Sequence, residues 1–269
     1  MVVDFIKEKR MRDHGIGGGK LWRMYLKEYG KEHPVGYNRF YDIIDCYGLK
    51  VRTRRRRTST TDSRHGLPTY PNLVRNLIPT RPNQLWASDI TYMPIGPDVH
   101  TGESRFSYLS VVTDCYTKEI IGWCLGDTLE TRFTVHALDM ALSRIPPDAS
   151  SCGLIHHSDR GIQYASHAYT EILKSRGISI SMTECGDPKE NAVAERVNGI
   201  IKNELLMGLT FSSINKARKA VADAVDFYNN ERPHMSLNWM TPAEAALCTG
   251  ELKKKWSSRR EKYIKGEVV

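Results

Sequence analysis

The sequence has no apolar run of about 18 residues, the length a membrane-crossing helix needs. Its mean hydropathy of −0.46 agrees with that. The first ten residues, MVVDFIKEKR, are interrupted early by charge, which excludes a signal or transit peptide. No CxxC pair occurs. The six cysteines, Cys46, Cys115, Cys124, Cys152, Cys185 and Cys248, are scattered, which argues for isolated reduced thiols in a cytosolic protein and against a zinc site. His156 and His157 are adjacent, cannot share one face of a strand, and make a poor chelating pair.

What is present is a packed core and an uneven charge. At 269 residues the chain suits one large domain or two small ones, and a hydrophobic content of 40% is too high for wholesale disorder. The net charge is +8. Residues 1–80 hold 17 basic against 8 acidic residues, residues 81–250 hold 15 against 20, and residues 251–269 hold 7 against 3. Basic flanks on an acidic middle fit a nucleic-acid handle joined to a metal-dependent core, although solvated charged tails have the same composition.

Periodicity predicts helices over about 2–13, 20–29 and 36–47, the last two joined by a turn compatible with a helix-turn-helix. Two packed helices with no nucleic-acid role fit the same pattern. A basic segment follows, with Arg54, Arg55, Arg56 and Arg57 in one block whose guanidinium forks suit phosphate oxygens. From about residue 84 the pattern changes. Strands are expected at 85–93, 106–113 and 119–125 as an antiparallel meander, then helix, strand, helix and strand to about 182. The fold class is therefore α/β, a mixed sheet with helices on its faces. The expected division is a helical, helix-turn-helix-like domain over 1–48, a basic linker over 49–80, a catalytic core over 81–247 and a basic tail over 248–269.

Three acids stand on the expected rigid elements. Asp89 lies at the centre of the first strand, Asp159 just past the fourth, and Glu195 on a helix over 188–204; 35 residues separate the last two. Carboxylates so placed can hold two divalent ions roughly 3.5–4 Å apart, one activating an attacking oxygen and the other stabilising a leaving one. That chemistry suits cutting and joining DNA. Asp187 and Glu190 have capping-box spacing at the start of the third acid's helix. Val193, Val197 and Ile200 share one face of it, and Asn191, Glu195, Asn198 and Lys202 share another, which fits a surface touching metal and DNA or a merely wet one. Gly199 in mid-helix suggests close approach of another backbone.

The order WASDITY, YLSVVTDCYTKEIIGW, HHSDRGIQY, ENAVAERVNGIIKNE and YNNERPHMSLNWMTPAEA resembles the catalytic half of bacterial insertion-sequence transposases of the OrfB type, relatives of retroviral integrases. The resemblance covers about residues 70–247. It implies an RNase H-like fold with a five-stranded sheet, and a DDE triad of Asp89, Asp159 and Glu195 binding Mg²⁺, with Mn²⁺ as a substitute. Lys202 matches a basic position expected to touch DNA near the cut. His157, Ser158, Arg160, Gly161, Gln163 and Tyr164 match the segment around the second acid, and Arg160 is carried over as a DNA contact. Asp114 matches a recurrent acid outside the triad. Glu190 departs from the usual Asp before Asn191.

The implied activity is nicking at element ends followed by attack of the freed 3′-OH on a new phosphodiester. The expected partners are terminal repeats and target DNA, further copies of the chain on DNA, and an upstream-frame OrfA-type product or fusion, a part this sequence starts without. No membrane is involved, and a cytoplasmic, nucleoid-associated protein is expected. Two rivals stand beside this reading. One is a DNA-binding regulator or decayed core that does not cut. The other is a nuclease acting on RNA–DNA hybrids, which needs neither the basic N-terminal part nor YNNERPH.

Overall fold

The computed structural model describes residues 1–51, 66–96, 105–145, 153–184, 188–252 and 259–267. Helices α1 (Val2–Arg12), α2 (Gly18–Tyr29) and α3 (Tyr37–Cys46) open the chain. Strands β1 (Leu85–Ile95), β2 (Arg105–Asp114) and β3 (Ile120–Gly126) form the expected antiparallel meander. After α4 (Thr131–Leu142), strand β4 (Ile155–Ser158) runs parallel to β1 on its free side. The short α5 (Ile162–Ala165) and α6 (His167–Ser175) lead to β5 (Ser179–Met182), parallel to β4. The sheet order is β3-β2-β1-β4-β5, so β1 is central and bonded to a strand of each direction.

Alternation along β1 divides the core. Trp86 and Ile90 face α4 and α6, clustering with Leu138, Ala141, Tyr169 and Leu173. Leu85 and Ala87 point the other way and pack with Ala194 of α7 (Ala192–Ile200), while Met93 joins a cluster with Val197 and Ile200. That cluster extends to α8 (Ile214–Asn230) through Val221, Ala224 and Phe227, and it includes Phe5, Leu21, Tyr25 and Phe40 from α1 to α3. The N-terminal helices, expected as a separate unit, thus share an apolar core with the helix carrying Glu195. The second half of the expected linker also lies on the core. Val74 is buried there, and the Leu73 N–H donates to Ser181 Oγ at 2.9 Å. Arg54 to Arg57 lie outside the described residues.

One local expectation is revised. The predicted helix over 188–204 is three pieces: a 3-10 turn at Pro188–Asn191, α7, and a π-helical turn at Ile201–Leu205. Asp187 is outside the described residues, and Glu190 binds the Glu184 N–H at 2.7 Å. Pro242 opens α9 (Pro242–Ala245), where Thr241 and Glu244 make a capping box. Its missing N–H costs nothing in a first turn. A last helix, α10 (Arg259–Ile264), lies in the tail. No helix among the described residues is long and apolar enough to cross a membrane.

Candidate functional site

β1 and β4 bring the first two acids together. Their parallel register pairs Trp86 with His156 and Ala87 with His157. Continued by two residues, it sets Asp159 beside Asp89. Asp89 shares the strand face of Ala87, the face covered by α7. It keeps part of its surface open to solvent although protein crowds its carboxylate. Oδ1 accepts from the Ile90 N–H at 2.9 Å and Oδ2 from the Asn198 amide at 2.9 Å. Asp159 is half-buried, and its Oδ1 accepts from the Gly161 N–H at 2.9 Å.

α7 is fastened to β1 on both sides of Glu195. Asn191 donates to the Ser88 carbonyl at 2.9 Å, four residues before it, and Asn198 donates to Asp89 three residues after it. Ala194 and Val197 fill the apolar gap, and Glu195 remains exposed on the adjoining side of the helix. His157 ties in β5. The Leu73 N–H donates to Ser181 Oγ, that hydroxyl lies 2.8 Å from His157 Nδ1, and Nε2 lies 3.1 Å from the Glu190 carbonyl. Carbonyl oxygens only accept, so Nε2 carries a proton. His156 points to the other face, its Nε2 2.8 Å from Ser88 Oγ and 2.9 Å from Tyr169 OH. Burial and the neighbouring His157 push His156 down to about 3. No sequence pattern pointed to His157 or Ser181 as braces, because their partners lie on three separate segments.

The electrostatics mark Asp89. Burial raises its carboxyl to about 7, the charges of Asp159 and Glu195 adding to the rise and the Ile90 and Asn198 donors opposing it. Asp159 and Glu195 therefore both act on Asp89. Among the described residues, no three His, Cys, Asp or Glu side chains close around a single point tightly enough to ligate one ion. The acids are electrostatic neighbours rather than a finished cage. The donors present still fit a hard divalent cation. They are carboxylate oxygens, with the buried amide oxygens of Asn191 and Asn198 unpartnered beside them. A positive ion there would relieve the repulsion that raises Asp89.

The remaining expected site residues divide. Asn191 and Asn198, expected to face DNA, are buried at 7% and 5% exposure against β1, because their amides satisfy Ser88 and Asp89. Arg160 is half-buried, and its Nε donates to the Thr183 carbonyl at 2.6 Å. Gln163 bonds the Leu129 carbonyl at 2.8 Å, and Tyr164 is buried. Lys202 is half-buried in the π-helical turn with no hydrogen-bond or ion-pair partner among the described residues, and desolvation lowers its ammonium. Asp114 is buried and accepts the N–H groups of Asn83, Tyr116 and Thr117 at 2.6, 2.8 and 2.9 Å, fixing the β2–β3 turn to the approach to β1. Gly199 is not pressed by backbone; a Cβ there would meet only Asn203 Nδ2, at 3.9 Å.

The family described as "Integrase core domain" matches residues 79–188, and a second family of that description matches residues 176–242. The chain is 36% identical over 240 residues to the 31 kDa protein of insertion element IS600 from Shigella sonnei, spanning 88% of this chain and 84% of that one. It is 32% identical to the transposase for insertion sequence element IS629 from the same organism, spanning 90% and 79%. Among solved structures, the HTLV-2 integrase catalytic core domain in complex with magnesium overlays at a TM-score of 0.43 with 18% identity, covering 62% of this chain and 97% of that one.

Proposed function

The chain belongs to the integrase-core transposases of bacterial insertion sequences, and from that premise we propose that it cuts DNA at the element's ends and transfers the freed 3′-OH to a new phosphodiester, with Asp89, Asp159 and Glu195 as its metal-binding acids. The observation that carries this is Asp89, held at about 7 by burial and by the charges of the other two acids. A carboxylate so disfavoured as an anion is one that a cation rescues. When bound, two divalent ions, Mg²⁺ with Mn²⁺ as substitute, supply activation of the attacking oxygen and stabilisation of the leaving one.

The chain's own residues prepare that site. Asn198 and the Ile90 N–H fix the rotamer of Asp89 and favour its ionised form. The Gly161 N–H does the same for Asp159. His157 holds the end of β4 against the turn that enters α7, and so sets the second acid relative to the third. Lys202 offers a half-buried ammonium two turns beyond Glu195, suited to a phosphate of the DNA being cut. Arg54 to Arg57 add sequence-independent phosphate affinity. The partners are terminal-repeat and target DNA, further copies of the chain that bring two ends together, and an upstream-frame partner or fusion. The working location is the cytoplasmic nucleoid.

The test is strand cleavage with Mg²⁺ on a labelled duplex bearing the element's terminal repeat, beside an RNA–DNA hybrid of equal length. The proposal expects a nick at the repeat's 3′ end and no preference for the hybrid. Degradation of the hybrid alone identifies a nuclease instead, and binding without any cut identifies a regulator.

A further inference from the structure

The rod carrying Glu195 does not end as an α-helix. After Ile200 it widens into the π-helical turn Ile201–Leu205, closed by a bond from the Leu206 N–H to the Ile201 carbonyl at 2.9 Å. Such turns expose carbonyls that a following α-turn would satisfy. Here the acceptors are met from the far end of the chain. The Gly15 N–H donates to the Glu204 carbonyl at 2.8 Å, and His14 Nδ1 donates to the Leu205 carbonyl at 2.9 Å. The loop between α1 and α2 crosses so closely that a Cβ on Gly15 would sit 2.5 Å from Glu204 Cα. Only glycine fits that crossing.

Charge completes the crossing. The Glu204 carboxylate binds Lys20 Nζ of α2 at 3.0 Å and takes a hydrogen bond from Arg232 Nη2, in the segment after α8. Arg232 is 1% exposed, and its Nε lies 3.4 Å from Asp13 Oδ2 on the α1–α2 loop. Arg196 of α7 adds a more exposed contact to the Glu204 carboxylate at 3.4 Å. Burial alone raises the Glu204 carboxyl, but Arg232 and Lys20 outweigh it and hold the group below its ordinary value. Three distant segments thus meet on the turn that carries Lys202, within three helical turns of Glu195.

We propose that the α1–α2 loop and Lys20 act with Arg232 as a clamp on the π-helical turn, and that Lys20 and Glu204 are positioning residues setting Glu195 and Lys202 against the strand acids. The inference rests on the active-site reading above. It makes the N-terminal helices part of the catalytic unit. α7 is one helical piece, hydrogen-bonded to β1 through Asn191 and Asn198 and packed on it through Ala194 and Val197, so a shift at its far end moves the acid between the two amides.

The test uses the full chain, with Lys20→Met, Glu204→Gln and Lys27→Met compared with wild type. Lys27 makes a surface bridge from the same helix α2 to Glu244 at 2.5 Å and does not touch the π-helical turn. Two quantities are read: the Mg²⁺ concentration for half-maximal strand cleavage, and hydrogen–deuterium exchange over residues 197–208. Lys20→Met and Glu204→Gln are each expected to raise the Mg²⁺ requirement about tenfold and to speed exchange in that window. Lys27→Met is expected to change neither. Lower melting temperatures with an unmoved Mg²⁺ requirement and unmoved exchange would overturn the clamp, as would an equal shift from Lys27→Met. A wild-type protein that does not cleave, or an Asp159→Asn variant that does, overturns the active-site reading instead, and the exchange comparison still judges the clamp.

Discussion

Asp89 carries most of the electrostatic tension at the residue scale, and that tension has a pH signature. Its carboxyl stands at about 7 in the fold against 3.8 without it, burial being the main cause. Below about pH 4 the group is protonated in folded and unfolded chain alike, and it contributes no penalty. Between there and about pH 7 the unfolded chain ionises first, so folding is increasingly opposed; above pH 7 the penalty is complete. The metal-free protein should therefore lose stability as pH rises through this window. Asp89→Asn should remove the loss, gaining about 2 kcal/mol over wild type at pH 8 after allowance for the solvent the side chain still meets. Thermal denaturation in chelator at pH 5 and pH 8 checks this, and a gap that fails to widen at pH 8 contradicts it. The elements carrying the acids were legible in the sequence, because the middle of β1, the end of β4 and a helix follow from local periodicity. The roles of Asn191, Asn198 and His157 were not. Each is defined by a group far along the chain, Ser88, Asp89 or Glu190, and no local spacing encodes such a pair.

Elements tell a different part of the story. The helices and strands follow from periodicity, and α8 shows the same pattern, with Ala217, Val221, Ala224 and Tyr228 buried on one side. The rod of Glu195 departs from expectation at both ends, and both departures are tertiary. At its start Asn191 gives its amide to β1 instead of capping, and at its finish the crossing loop at Gly15 supports a π-turn. Helical phase placed Asn191 and Asn198 with Glu195 on a wet face, yet the sheet takes both amides because β1 offers buried acceptors there. Gly199 is the one unforced weak point. With only Asn203 Nδ2 near at 3.9 Å, Gly199→Ala should raise stability by up to about 1 kcal/mol, read by chemical denaturation. A loss of stability would show that something in the fold needs the glycine. A gain accompanied by lost cleavage would show that DNA lies against it.

Over the whole molecule, charge and architecture separate two kinds of contribution from the N-terminal third. Its helices share the apolar cluster of α7 and α8, so they support the catalytic unit as well as any DNA they touch. The sequence suggested a separate helical domain because hydrophobic periodicity reports that a helix is amphipathic and is silent on what covers it. The arginine block is a separate matter of long-range electrostatics. Replacing Arg54 to Arg57 with Ser should flatten the dependence of DNA affinity on salt by up to about 0.9 log unit per log unit of salt for each lost phosphate contact. Binding measured across a salt series reads this slope, and an unchanged slope means the block leaves phosphate untouched.

The central claim is that three acids, distant along the chain, share one cation-dependent reaction. It is tested most directly by Mg²⁺-dependent cleavage of a labelled element end with Asp89→Asn, Asp159→Asn and Glu195→Gln, each beside a binding assay on the same DNA. The account predicts that every one of the three abolishes cutting while binding survives. Any one of them cutting at the wild-type rate would contradict it.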